Sequence, residues 1–561
     1  MVKNLFFLSL ISALLLSCTH RQALKEEAFP AEEAYYHYIL GYDAEISGLW
    51  EKAVEHYKAA LTFDPGSAHI KTQMSHVLLR MGKLQDAVST LEEALGKDPT
   101  HAPALLLLGQ LYNGQKRPND AIKVYERLIR LAPDKENAYI LLGVLYAGEK
   151  RFGDARKILN MLVEKSPDNA MPLYYLGAVE MEAGNFTEAE RFFKEVLKVK
   201  PNFDSAYLNL GILSELKGQP EEAKSHYKAA LAANPHNIDA REKLAQISIR
   251  EKSFEEAIRQ FEEVSILDPS NINVHRSLAL LYAEQKQYGK AIEEFRIYLE
   301  AVPENTEVRL FFVTVLEDIG RRKEAEEELN KILSIDPKNE NALMHLGYIY
   351  TKLERYGEAA ETYERLIGFH KDKPEAYIYL GTIYIQIKNY EAAEKAFVEG
   401  LSRFDDNADL HFNIAALYEK TGRFDDMVLH LRRAIGIDPE HADALNYLGY
   451  SYADKGINLD EALALITKAV ELKPESGYVI DSLGWVYFRL GRLDEAVEAL
   501  KQAVEKVGDD PLIYEHIGDV YKAKGMKAEA LRYWNKALEF HEKEEGLKPR
   551  VEEKIKQMSP E

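Results

Sequence analysis

APALLLLGQLYNGQKRPNDAIKVYERLIRLAP, residues 102–133, decides the fold. Numbered from Ala102, it sets Leu105, Leu108, Gly109 and Tyr112 at positions 4, 7, 8 and 11. Ala121, Tyr125 and Leu128 follow at 20, 24 and 27, and Pro133 stands at 32. Each group has the spacing of one face of a 3.6-residue helix. The stretch therefore reads as two amphipathic helices, A and B, joined by a polar turn. Small residues at 8 and 20 let the helices approach closely, and a larger side chain there would overpack the contact. Position 15 is Gly in Gly48, Gly82, Gly184, Gly218, Gly422 and Gly491, which suits the left-handed residue that ends helix A. Pro at 32 cannot continue helix B.

The frame fits again every 34 residues, starting at 34, 68, 102, 136, 170, 204, 238, 272, 306, 340, 374, 408, 442, 477 and 511. One step, 442 to 477, is 35, and its extra residue falls near Ile457-Asn458-Leu459. Position 20 is Ala in 14 of the 15 repeats, the exception being Met427. This period and pattern resemble the tetratricopeptide repeat (TPR). The resemblance implies an all-α, superhelical TPR solenoid of about 15 helix-turn-helix repeats with a C-terminal capping helix. No pair buries its apolar face alone, so stacked pairs share one continuous core.

A chain of 561 residues need not hold several globular domains, because a solenoid grows by adding units. Apolar residues make up 46%, enough for such a core. A net charge of −21 argues against nucleic acid or anionic headgroups as main partner, since both reward clustered Lys and Arg.

Residues 1–17 read as a signal peptide: Lys3 precedes an apolar run, Leu5 to Leu16, too short to span a bilayer. Leu15-Leu16-Ser17-Cys18 resembles a bacterial lipobox, and Cys18 is the one cysteine. That resemblance implies acylation at Cys18, several chains giving stable anchoring where one gives marginal binding. Thr19 in place of Asp after the cysteine implies, by the same resemblance, an outer-membrane lipoprotein facing the periplasm. Residues 18–33, polar and containing Pro30, read as a lipidated tether, 34–544 as the solenoid, and 545–561 as capping helix and tail. Within that tail Val551, Ile555 and Met558 share one stripe, fit to cover the last repeat.

Catalytic signatures are missing: no H-E-x-x-H, no G-x-x-x-x-G-K-[ST], no Cys pair and no G-x-G-x-x-G. Gly449-Tyr450-Ser451-Tyr452-Ala453 has the look of a nucleophile elbow but falls inside a helix A, the wrong geometry. His69 and His76 share a helix face without a third ligand at sensible spacing, so no metal is expected. No cofactor and no small-molecule substrate are expected, and the chain reads as a non-enzyme.

In TPR proteins helix A lines the concave groove, and positions 2, 5, 9, 12 and 13 point into it. On those positions repeats 12–14 carry Phe412, Asn446, Tyr450, Tyr478, Asp481, Trp485, Phe488 and Arg489. Aromatic residues with an Arg are the composition of a protein-binding hot spot. Ile140, Val144, Tyr174, Met181, Leu208 and Ile212 form a second, apolar floor in repeats 4–6. Repeats 7–9 turn acidic there, with Asp239, Glu242, Glu307, Glu317 and Asp318. The stretch LNYLGYSYADKGINLDEALALITKAVELKPESGYVIDSLGWVYFRLGRLDEAVEALKQAV, residues 445–504, resembles bacterial TPR outer-membrane lipoproteins. Among these are adaptors of periplasmic carboxyl-terminal processing proteases. The resemblance implies a membrane-tethered scaffold that binds periplasmic proteins or peptides and delivers substrates to a protease. The other role it implies is assembly of polysaccharide-export or pilus machinery.

Overall fold

A computed structural model describes residues 30–558, so Cys18 and the expected signal peptide lie outside the described residues. The chain divides into two compact units, up to Val274 and from His275 onward. Both are helical, and no strand occurs among the described residues. Fifteen helix pairs follow one another, named here 1A and 1B to 15A and 15B, and a closing helix, Leu547–Met558, follows the last. Helices 2A to 15A begin at residues 68, 102, 136 and so on to 477 and 511, on the 34-residue frame. Helix 1A is longer, Pro30–Ile46, and takes residues 30–33 from the expected tether. Proline fits a first helical residue, where no N–H is needed, and Glu32 and Glu33 favour the positive end of the helix dipole. Trp50, which the frame places in a turn, opens helix 1B and packs partly against the first core cluster.

Position 8 meets position 24 face to face. A Cβ on Gly177 would stand 2.6 Å from Phe193, and one on Gly41 2.8 Å from Tyr57. Gly109, Gly211 and Gly518 press equally on Tyr125, Tyr227 and Trp534. These aromatic rings are almost wholly buried, so the glycine is the space that the ring occupies.

Neighbouring pairs are joined by a recurring clamp. Tyr112 at position 11 donates its hydroxyl to Glu92 of the preceding helix B at 2.6 Å. The Arg117 guanidinium lies 4.2 Å over the Tyr112 ring and donates to Asp120 at 2.9 Å. Tyr146, Arg151 and Asp154 repeat it with Glu126, and Tyr418, Arg423 and Asp426 with Glu394.

Position 15 is left-handed in every pair, whatever residue holds it. Gly48, Gly82, Gly184, Gly218, Gly320, Gly422, Gly456, Gly491 and Gly525 have φ between 71° and 79°. Lys116, Lys150, Lys252, Lys286, Glu354 and Lys388 are forced to φ of 55° to 61° at the same place. Helices 2A to 15A are 13 residues long, except 13A, Ala442–Lys455, which has 14. Gly456 still holds position 15, so the extra residue of the 35-residue step falls after it: helix 13B opens one residue late, at Leu459, behind a second left-handed residue, Asn458.

The second unit ends under the closing helix, whose Leu547 and Val551 are fully buried against Ile513, Ile517 and Trp534, with Ile555 and Met558 partly buried. Arg550 and Lys554 bind Glu515 at 2.6 and 2.7 Å, and Lys554 binds Asp519 at 2.6 Å. The Glu515–Arg550 spacing of 35 residues equals that of Asp481 to His516 one repeat earlier. The closing helix therefore stands where a sixteenth helix A would.

Candidate binding face of the last four repeats

Helices 12A (Ala408–Lys420), 13A, 14A (Gly477–Arg489) and 15A (Pro511–Ala523) carry the expected groove residues of the second unit. Phe412 is half-buried, 5.2 Å from the His441 ring and edge-on to Tyr447 at 5.9 Å. Tyr447 in turn donates its hydroxyl to Glu419. Tyr450 is half-buried too. Burial first, then Asp481, Asp454 and Glu419, hold its hydroxyl above its ordinary pKa, with Arg550 opposing.

Asp481 is buried rather than open to the groove, and accepts from His516 Nδ1 at 2.9 Å. Burial resists the imidazolium of His516, but Asp481, aided by Asp519 and Glu515, outweighs it and raises the pKa above the ordinary value. Trp485 stacks on His516 with centroids 4.2 Å apart and lies 5.0 Å from Phe488. Arg489 turns to the fold, donating to the Asp454 carbonyl at 2.6 Å. It passes so near Gly456 that a Cβ there would stand 2.5 Å from Nη2. Tyr478 is the open member of the set, 61% exposed.

Three atoms on this face are shut from solvent without a hydrogen-bond partner among the described residues: His441 Nε2, Asn446 Oδ1 and Trp485 Nε1. Each unmet hydrogen bond of this kind costs about 1–3 kcal/mol.

The second set is mostly drawn into the first unit's cores. Ile140, Tyr174 and Met181 pack against one cluster, and Leu208 and Ile212 against another around Tyr227. Tyr174 also stacks on Phe203 at 5.2 Å and faces the Asn209 amide at 3.2 Å. Val144, 45% exposed, is the one member left open. The acidic positions between are partly spent as well: Glu242 accepts from Asn271 at 2.8 Å, and Glu317 lies 2.9 Å from His345 Nδ1.

Sequence reasoning missed position 6. His516 and Asn209 reach position 5 of the preceding repeat, while Tyr447, His345 and Lys243 reach position 12. These cross-links stiffen the row of A helices. Their signal is a polar or aromatic residue at 6 paired with a carboxylate or hydroxyl 28 or 35 residues earlier.

Among the described residues no group of three or more His, Cys, Asp or Glu could hold a metal ion. No described helix is long and apolar enough to cross a membrane.

Sequence profiles of the tetratricopeptide repeat match residues 46–111, 78–145, 113–174, 146–211, 215–281 and 282–346, more than half of the chain. Further profiles of the same repeat match 342–377, 378–440, 428–477 and 484–525. The TPR repeat-containing protein PA4667 of Pseudomonas aeruginosa is 38% identical over 95 residues, which are 17% of this chain and 16% of that protein. Among solved structures, the APC/C hetero-tetramer Cut9–Hcn1 is 15% identical, with 94% of this chain and 98% of that chain covered and a TM-score of 0.38. Yeast Tom70 is 17% identical, covering 76% and 96% at a TM-score of 0.37. YrrB, a TPR protein with an unusual peptide-binding site, is 21% identical, covering 34% and 97% at 0.28. The frame, the clamps between pairs and the matches over more than half its length together make this chain a member of the tetratricopeptide repeat family.

Proposed function

We propose that the protein is a scaffold without chemistry of its own, which receives other polypeptides on the A-helix face of repeats 12–15. The observation that carries this is the aromatic row itself, Tyr478 exposed and Phe412, Tyr450, Trp485 and Phe488 half-buried on successive A helices. A polypeptide segment laid along this row gains apolar burial against the aromatic rings. The cross-links at position 6 keep the row in place, which lowers the ordering cost of binding.

The proposal extends to the address. Lipobox-like Leu15-Leu16-Ser17-Cys18 supports acylation at Cys18 and a periplasmic, outer-membrane site of action. The resemblance of residues 445–504 to protease-adaptor lipoproteins supports delivery of periplasmic substrates to a carboxyl-terminal processing protease. Photo-crosslinking from position 478 in cells tests the face, with Trp485→Ala as the comparison. Captured periplasmic proteins should fall sharply in the variant while its helicity stays unchanged. Equal capture would refute the assignment. Cys18→Ala should release the chain from the membrane fraction, and retention would remove the tether.

A further inference from the structure

Inside the second unit repeat 12 has Met427 at position 20, where the other repeats have Ala, and repeat 13 carries the inserted residue. Met427 and the C-terminal end of helix 13A border one cleft. Its volume is about 220 Å³, and its lining includes Met427, Phe424 and Glu419 of repeat 12 with Tyr450, Asp454 and Lys455 of repeat 13. Met427 is buried as its floor, with Ser451 Oγ 4.0 Å from the sulfur. Asp454 and Lys455 end helix 13A, and the carbonyl at 454 is held by Arg489.

The charge on this face is unevenly spent. Five of the acids at the groove positions of repeats 12–15 face a base: Asp409 with His441, Asp443 with Lys473, Asp481 with His516, and Glu515 and Asp519 with the closing helix. Glu419 and Asp454 have no cationic partner among the described residues, and both line the cleft. The aromatic wall already attracts a cation, since Lys455 Nζ sits 5.2 Å from the centre of the Phe424 ring. Asn446 lies one and two turns before Tyr450 and Asp454 on the same stripe.

We infer that this cleft takes the arginine or lysine side chain of a polypeptide lying on the face, its cation between Glu419 and Asp454 and its aliphatic stem against Tyr450 and Met427. The assignment rests on the reading of the face as a polypeptide-binding surface and names what that surface selects. A long side chain with an apolar stem and a charged tip matches a cleft with thioether and aromatic walls and carboxylates at its mouth.

The test uses the full chain and pools of acetylated, amidated octapeptides, one position fixed as Arg, Lys, citrulline or Glu and the rest degenerate. The wild-type chain should retain the Arg and Lys pools about tenfold over citrulline, the expected return of one charge-assisted contact. Glu419→Gln with Asp454→Asn keeps side-chain size and the acceptor for Tyr447, and should bring the Arg pool down to the citrulline level with the citrulline pool unchanged. A wild-type chain without the preference, or a double variant that keeps it, overturns the cleft assignment while Trp485-dependent capture still stands. Failure of the wild type to retain any pool overturns both.

Discussion

Six positions in this solenoid hold a side chain where the backbone favours none, and relieving them should stabilise the protein. At position 15 the turn geometry is the same with Gly or Lys. In repeat 5 the Gly184 N–H bonds the Met181 carbonyl at 3.0 Å and Asn185 bonds Glu180 at 2.8 Å; in repeat 3, Lys116 bonds Asn113 at 2.9 Å and Arg117 bonds Tyr112 at 2.8 Å. The lysine therefore gains no compensating bond, and Lys116, Lys150 and Lys252 are exposed at φ of 57° to 58°. A non-glycine residue in the left-handed region costs about 1–2 kcal/mol. Glycine returns about 0.5–1 kcal/mol of that through its freer unfolded chain. The net gain is about 0.5–1 kcal/mol per site, so Lys116→Gly, Lys150→Gly and Lys252→Gly together should add about 2 kcal/mol if the three sites act independently.

Stability in a stack of repeats is local as much as global, so native-state hydrogen exchange is the suitable assay. The Arg117, Arg151 and Ser253 amides, which close the three turns, should each exchange more slowly in the triple variant. The urea midpoint of the far-ultraviolet circular dichroism should rise as well. Gly184→Lys should cost about what one reverse change gains. A triple variant no more stable than the parent, or a neutral Gly184→Lys, would refute the account of strain.

Three other outcomes follow from the same contacts. Gly518→Ala drives a methyl into the buried Trp534 ring and should destabilise the last pair by about 1–3 kcal/mol, read as a lower melting temperature. Tyr112→Phe removes the donor to Glu92 from a phenol that burial and Glu92 push up to about 12, and should cost about 1 kcal/mol in urea unfolding. His516 has a raised folded pKa, so its contribution is fully present below its unfolded value of about 6.5 and is lost as pH rises through the folded one. The last repeats should therefore loosen on that alkaline side, and an NMR titration placing His516 below 6.5 would reverse the sign.

The fold is written in the chain with unusual redundancy. Each pairing of positions 8, 20 and 24 is stated fifteen times, so Met427 or Val313 at one of them does not obscure the register. Side-chain roles on the A-helix face are written once each and depend on a helix one repeat away. Asp481 looks like a free groove carboxylate until helix 15A brings His516 opposite it, and Arg489 looks like a groove cation until Gly456 leaves room for it to reach a carbonyl. Tyr174 and Leu208 sit on groove positions yet lean into the core, because the stripe at 4, 7 and 11 is too narrow to cover Phe203 and Tyr227 alone. The strained lysines were hidden for a different reason: the turn accepts them, so position 15 reads as variable although its backbone is constant.

That contrast says where specificity has room to be encoded. In a solenoid the interfaces between neighbours supply the stability, so positions that serve them are held by packing, whereas the members of the helix A row that stay exposed, such as Tyr478, are free of that demand. A departure from the frame at a packing position costs stability and needs a return. Met427 enlarges a side chain at the A–B contact, and the inserted residue in the turn before helix 13B adds the left-handed Asn458 beyond Gly456. Met427 floors a cleft whose two carboxylates are the ones on this face without a base among the described residues. Neutralising them from within would have been simple, as the closing helix does for Glu515 and Asp519 with Arg550 and Lys554. Among the described residues five acids of this face meet a base and two at the cleft do not, which is the arrangement that a cation from a bound polypeptide would complete.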